Sequence, residues 1–207
     1  MRRRMIVLAM LLATGIPGMA LAESDELNEL RTSAPNHEWL LTRSDDRRQI
    51  KTWAKQEEGK RLRSFRAEGI WDTSLNALAR AYTDIDNLPR WYWETKEARL
   101  LRKVSDTEYY YYMRFNAPLN LPDRDAVFHA VIEPYSPKRG YWQIKVNAVP
   151  DYMPPKPGMV RVVAQDLYAR ITPLGKNQVK FESEGYVDPG GSVLPGPSIS
   201  CRSVYRI

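Results

Sequence analysis

The sequence is poor in the side chains that carry covalent and metal chemistry. Cys201 is the only cysteine, so an intrachain disulfide and a cysteine metal cluster are both excluded. The two histidines, His37 and His129, lie far apart in the chain, which argues against zinc. No serine or cysteine nucleophile motif accompanies His129 to make it a general base. Asp188-Pro189-Gly190-Gly191 reads as a strand-ending turn and not as a phosphate cradle, because no lysine–serine/threonine pair follows and no dinucleotide fingerprint precedes it. No basic block stands alone, so a dedicated nucleic-acid binder is not expected either. These absences leave no expected catalytic residue, no metal and no cofactor.

Long hydrophobic runs are also missing. The one candidate, residues 6–19, is broken by Gly15, Pro17 and Gly18 and is shorter than the roughly 20 residues of a membrane-spanning helix. It follows Arg2-Arg3-Arg4 and precedes the small residues Ala20 and Ala22, which is the form of a secretory signal peptide cleaved after Ala22. A periplasmic or secreted location follows from that reading. Three of the 31 basic residues and none of the 25 acidic ones fall in residues 1–22, so the remaining 185 residues carry a formal charge of +3 instead of +6. That length suits one domain with a real core. The mild positive balance, with Arg61, Arg63 and Arg66 interleaved with Leu62 and Phe65, is compatible with transient contact with anionic headgroups.

What the chain has in quantity is aromatic surface, with 12 tyrosines and six tryptophans. Its pattern is mostly that of strands. Ser24 can cap a short helix that Pro35 ends, and three strand-like runs follow at 39–42, 48–55 and 62–70. The period then changes. Asp72 or Thr73 can cap a helix with Leu75, Leu78, Ala79 and Tyr82 on one side, followed by a shorter helical piece at 88–93. Strand patterns resume at 98–104, 108–116, 126–133, 141–149, 159–171 and 178–187. The expected fold is α+β, a curled antiparallel sheet of about nine strands with short helices between the third and fourth.

Alternation sorts the central strands. Tyr109, Tyr111, Met113 and Phe115 share one face, and Tyr110, Tyr112, Arg114 and Asn116 the other. On the next two strands Ala126, Phe128, Ala130 and Ile132, then Trp142, Ile144, Val146 and Ala148, continue the apolar face. The loop at 117–122 adds Leu119 and Leu121 between Pro118 and Pro122, where a turn would normally be polar. A second loop, 150–158, carries four prolines with Tyr152 and Met153. The two loops are expected to line the mouth of a cavity. Asp123, Arg124 and Asp125 are read as structural ion-pairing groups at a strand start, with Arg161 as a further anchor, and not as an acid/base cluster.

The stretches YYYYMRFNAPLNLPDRDAVF, PDYMPPKPGMVRV and VKFESEGYVDPGGSV resemble, in this order, successive motifs of the START (StAR-related lipid-transfer) domains. The resemblance runs from about residue 37 to Val193, and it is to a bacterial, secreted member. It implies the helix-grip fold, in which a curved sheet wraps a long C-terminal helix around a tunnel for one lipid or other apolar molecule. It also implies binding and transfer without catalysis. On this basis Tyr111, Met113, Phe115, Phe128, Ile132, Trp142 and Ile144 are expected to be lipid-binding wall, and Pro118, Leu119 and Leu121 a gate loop.

Two departures from the family pattern stand out. Some sterol-carrying relatives have a buried carboxylate–arginine pair in the tunnel, and Tyr111 and Ala130 occupy the matching positions here, so a tyrosine hydroxyl is the available polar handle. After the START-like domain of residues 23–193, residues 194–207 form an atypical tail in which Pro195, Gly196 and Pro197 oppose the expected helix. A truncated or frame-shifted gene product and a lidless variant both account for that tail. Two other functions stay open at this stage: a cyclase-like helix-grip enzyme using Tyr111, Tyr112 or His129 in the same cavity, and a pocketless interaction module of the cell envelope. Oligomeric state is open too.

Overall fold

A computed structural model describes residues 37–117 and 121–191. The expected signal segment, the helix capped by Ser24, Pro118, Leu119 and the 194–207 tail all lie outside those residues.

The first three strands are β1 (Leu40–Asp45), β2 (Ile50–Lys55) and β3 (Ser64–Trp71), of which β3 alternates buried Phe65 and Ala67 with the more exposed Arg66 and Glu68. Helix α1 (Leu75–Thr83) and a 3-10 turn (Ile85–Arg90) follow. The rest is strand: β4 (Thr95–Lys103), β5 (Glu108–Phe115), β6 (Arg124–Glu133), β7 (Trp142–Ala148), β8 (Val160–Arg161), β9 (Ala164–Pro173) and β10 (Val179–Asp188). All ten belong to one open, curved sheet in the order β1-β2-β3-β10-β9-β7-β6-β5-β4, with β8 paired to β6. Every pairing is antiparallel except β6 with β8.

Three details differ from the sequence reading. The single strand expected at 159–171 is two, because the chain changes neighbours at 162–163: Val162 N–H donates to Asp125 O, and Val163 N–H to Asp188 O. The cap of α1 is Ser74, whose Oγ accepts from Ala77 N–H at 3.2 Å, whereas Asp72 accepts from Gln178 Nε2 instead. The second helical piece runs over 85–90 instead of 88–93, and it is a 3-10 turn that accommodates Pro89.

α1 and the 3-10 turn lie against one face of the sheet, where Leu78, Ile85 and Leu88 join the strands in a single apolar core. Phe181 of β10 fixes this contact, with Trp71 stacked on it at 4.4 Å and Tyr82 at 6.1 Å between ring centroids. The helices thereby leave the inner faces of β5, β6 and β7 as the central part of the wall.

Candidate ligand-binding face

The seven side chains expected as wall are brought together. Tyr111, Met113, Phe115, Phe128, Ile132, Trp142 and Ile144 all belong to the same core cluster, and all are buried. Register explains why. Tyr111 pairs with Phe128, Met113 with Ala126, and Ile132 with Ile144, so the pleat turns each of them the same way. The rings of Tyr111 and Phe128 are 5.3 Å apart, and Phe115 meets Phe128 edge-on at 6.4 Å. Of the expected gate residues, Leu121 is half-buried, and Pro118 and Leu119 are outside the described residues.

Sequence reasoning passed over several members of this face. Tyr109 had been put on the correct side of β5 without being counted as wall, although its exposure is only 6%. Val146 is likewise on the expected side without being among the expected wall residues, and Phe181, Leu78 and Leu88 join the same cluster. Strand alternation (Val179, Phe181) and helical spacing (Leu75, Leu78, Tyr82) carried that signal already. Burial pushes the phenol of Tyr92 up to about 12 and also raises those of Tyr109 and Tyr111, so the inner tyrosines stay protonated and neutral.

The loop at 117–122 is held at both feet. Before it, Asn116 N–H donates to Glu94 O at 2.7 Å and Asn116 Nδ2 to Glu94 Oε2 at 2.8 Å. After it, Asp123 accepts from Arg114 Nε at 2.7 Å and from Lys96 Nζ at 3.2 Å. Burial alone would raise the Asp123 carboxyl, but the hydrogen bonds from Arg114 and Lys96 outweigh it and hold the pKa below its ordinary value. Next to these anchors a polar pocket of about 340 Å³ opens among Arg90, Trp91, Trp93, Glu94, Lys96 and Asn116.

The other expected mouth loop lies elsewhere. Residues 150–158 cover the outer face of β5 and β6, not the rim of the inner one. Tyr152 stacks on Tyr110 at 4.8 Å, and Lys156 Nζ sits 4.2 Å from the ring centroid of Tyr112. Arg161 causes this. Its guanidinium donates to Asp125 Oδ1 at 2.9 Å and Oδ2 at 3.0 Å, and also to the carbonyls of Pro150, Met153 and Pro154. Asp125 is fully buried, and the bidentate pair draws the loop over it. Asp123 and Asp125 are thus ion-pairing groups, as the sequence suggested, with different cations.

The residues considered for a cyclase-like enzyme do not meet. Tyr111 belongs to the inner face, whereas alternation puts Tyr112 and His129 on the outer one. His129 Nε2 lies 2.9 Å from Glu108 Oε1, and its ring stacks on Tyr110 at 4.6 Å. Among the described residues no group of three or more His, Cys, Asp or Glu could hold a metal ion, and no helix is long and apolar enough to cross a membrane.

Against known proteins, no family model matches the sequence and no curated protein matches it. Solved structures do. A STAR-related lipid transfer protein from Xanthomonas axonopodis superposes with a TM-score of 0.67 at 29% identity, covering 76% of this chain and 85% of that one. The lipid transfer and protein localization domain of human StarD13 gives a TM-score of 0.65 at 16% identity, over 84% of this chain and 83% of the other. Human STARD10 gives 0.66 at 20% identity, over 87% and 71%. The two human structures share the fold, and the bacterial one adds a likeness in sequence to it. Its strand order, its apolar inner wall and that likeness together give the chain the helix-grip fold of the START domains, to which it is similar.

Proposed function

We propose that the protein binds, and transfers through water, a lipid or other apolar small molecule held against the inner face of β5, β6 and β7. The observation that carries this reading is the continuity of that face: seven large apolar or aromatic side chains from three adjacent strands point the same way. The lipid-transfer names of the neighbouring structures support it. The driving force is removal of apolar surface from water, about 0.8 kcal/mol for each CH₂ of the guest that is buried. Pro118, Leu119 and Leu121 are assigned to the passage by which a guest enters. No catalytic step is assigned.

We place the protein outside the cytoplasm, on the basic, apolar and small-residue order of residues 1–22. Any membrane contact is transient and serves loading.

The full-length chain, expressed in a bacterium, would be recovered from the periplasm or medium and its N-terminus sequenced. A first residue of Glu23 supports the assigned route, and retention of Met1 in the cytoplasm refutes it. Solvent extraction of the purified protein with mass spectrometry, followed by titration with a pyrene-labelled C12 chain, tests binding. Roughly one extracted lipid per chain, or saturable one-site uptake of the probe, is expected. An empty protein that takes up no probe rules out the carrier and favours an interaction module.

A further inference from the structure

Tyr109 is 6% exposed, yet its hydroxyl has no hydrogen-bond partner among the described residues. A buried hydroxyl left unpaired is unfavourable and is normally found only where something else satisfies it. Its neighbours on the same strand are provided for. The Tyr112 hydroxyl lies 3.7 Å from Met159 Sδ, and the Tyr110 ring is stacked between His129 and Tyr152. Around Tyr109, by contrast, stand the Tyr111 ring at 5.8 Å and, across the strand pair, Ala130. On the other side Lys103 is in register with it, but that side chain is 59% exposed and its ammonium holds Asp106 at 2.5 Å. Arg124, on the same face by alternation, lies opposite Phe115, six residues or roughly 20 Å along β5, and donates to Pro122 O.

Building on the proposed function, we infer that the guest carries one uncharged oxygen, a hydroxyl or a carbonyl, at the end that rests against Tyr109, and that the Tyr109 hydroxyl selects for it. A carboxylate or phosphate at that end would enter an apolar wall with no uncommitted counter-ion beside it among the described residues, which is strongly unfavourable. A pure hydrocarbon would leave the phenol unsatisfied. The preferred class is therefore a neutral amphiphile with a single polar oxygen.

The test uses three pyrene-labelled C12 chains, ending in a primary alcohol, a methyl group or a carboxylate, titrated into full-length wild type, Tyr109→Phe and, as an outer-face control, Tyr112→Phe. Each affinity is expressed as the ratio of variant to wild type, which cancels the hydration of the probe itself. Tyr109→Phe should weaken the alcohol by about 3- to 10-fold and leave the methyl and carboxylate probes within about 2-fold. Tyr112→Phe should change no ratio. Equal losses for alcohol and methyl, or no loss for either, overturn the inference, since the residue would then act by shape or not at all. A carboxylate loss as large as that of the alcohol overturns the uncharged class. Melting without probe gives a second readout: Tyr109→Phe should melt at or above wild type, and a clear fall would mean that the hydroxyl is paired within the chain. If wild type takes up none of the three probes, the carrier reading itself fails and this inference falls with it.

Discussion

The two faces of β5 carry the same residue type in alternation and treat it in opposite ways. Outward, Tyr110 and Tyr112 are enclosed by partners: His129 and Tyr152 for the first, Arg99, Lys156 and Met159 for the second. Beneath them the fully buried Asp125 is gripped by Arg161. Inward, Tyr109 and Tyr111 meet apolar side chains, and the hydroxyl of Tyr109 has no partner among the described residues. The outer face is finished by the chain's own loop at 150–158, whereas the inner one is an apolar wall in which the Tyr109 hydroxyl stands out. Closely fitted polar contacts serve the chain's own folding, whereas an apolar wall with few polar groups is the usual form of a small-molecule site. That contrast separates the scaffold of this domain from its candidate site.

The largest effect should come from the outer side. Asp125→Ala leaves Arg161 largely buried without its counter-charge and should cost about 3–5 kcal/mol in urea unfolding. A cost below about 1 kcal/mol would mean that the pair organises nothing. On the inner side, Phe181→Ala removes the ring between Trp71 and Tyr82 and should cost about 3 kcal/mol or somewhat more, again by urea unfolding. A bound apolar probe should offset part of that loss only if the wall and the guest space are continuous. A smaller contrast tests the tyrosines directly. Tyr112→Phe should cost about 0.5–1 kcal/mol by losing its contact with Met159, and Tyr109→Phe about zero. The reverse order would erase the distinction between the two faces.

The smallest effect is one of pH, at a site belonging to neither face. Burial would raise the Glu57 carboxyl, but hydrogen bonds from Lys55, Lys60 and Ser64 outweigh it and lower the pKa from 4.5 to about 2. Since the folded value lies below the unfolded one, the stability it contributes is complete above pH 4.5 and disappears as pH falls toward about 2. Glu57→Gln should therefore reduce the loss of stability across that window, by under about 1 kcal/mol given its solvated setting. Identical acid-side slopes for wild type and variant would contradict this.

Much of this architecture was legible because strands announce themselves by a period of two. β5, β6 and β7 needed only alternation to put Tyr111, Met113, Phe128 and Ile144 on one side, and register confirmed the grouping. The cap of α1 was misplaced by one or two residues, since Asp72, Thr73 and Ser74 are all competent caps and only the fold decides that Asp72 faces Gln178. The break at 162–163 was invisible because an apolar run does not say which neighbour it pairs with. The loop at 150–158 was sent to the wrong face for a related reason. Its apolar residues suggested a rim, and the attraction that seats it comes from Arg161 and Asp125, 36 residues apart in sequence. Tyr109 was undervalued because alternation assigns a side chain to a face but says nothing of what its hydroxyl finds there.

The sheet order has a consequence for how the chain comes to be folded. Among the described residues, β1, β2 and β3 pair with the remaining strands only through β10, the last of the series. A nascent chain that ends before residue 179 holds two sheet fragments, β1–β3 and β4–β9, with no ladder joining them. Assembly must therefore wait for nearly the whole polypeptide to emerge, and pairings of such long reach close slowly. A protein wired in this way stays open while it is being made.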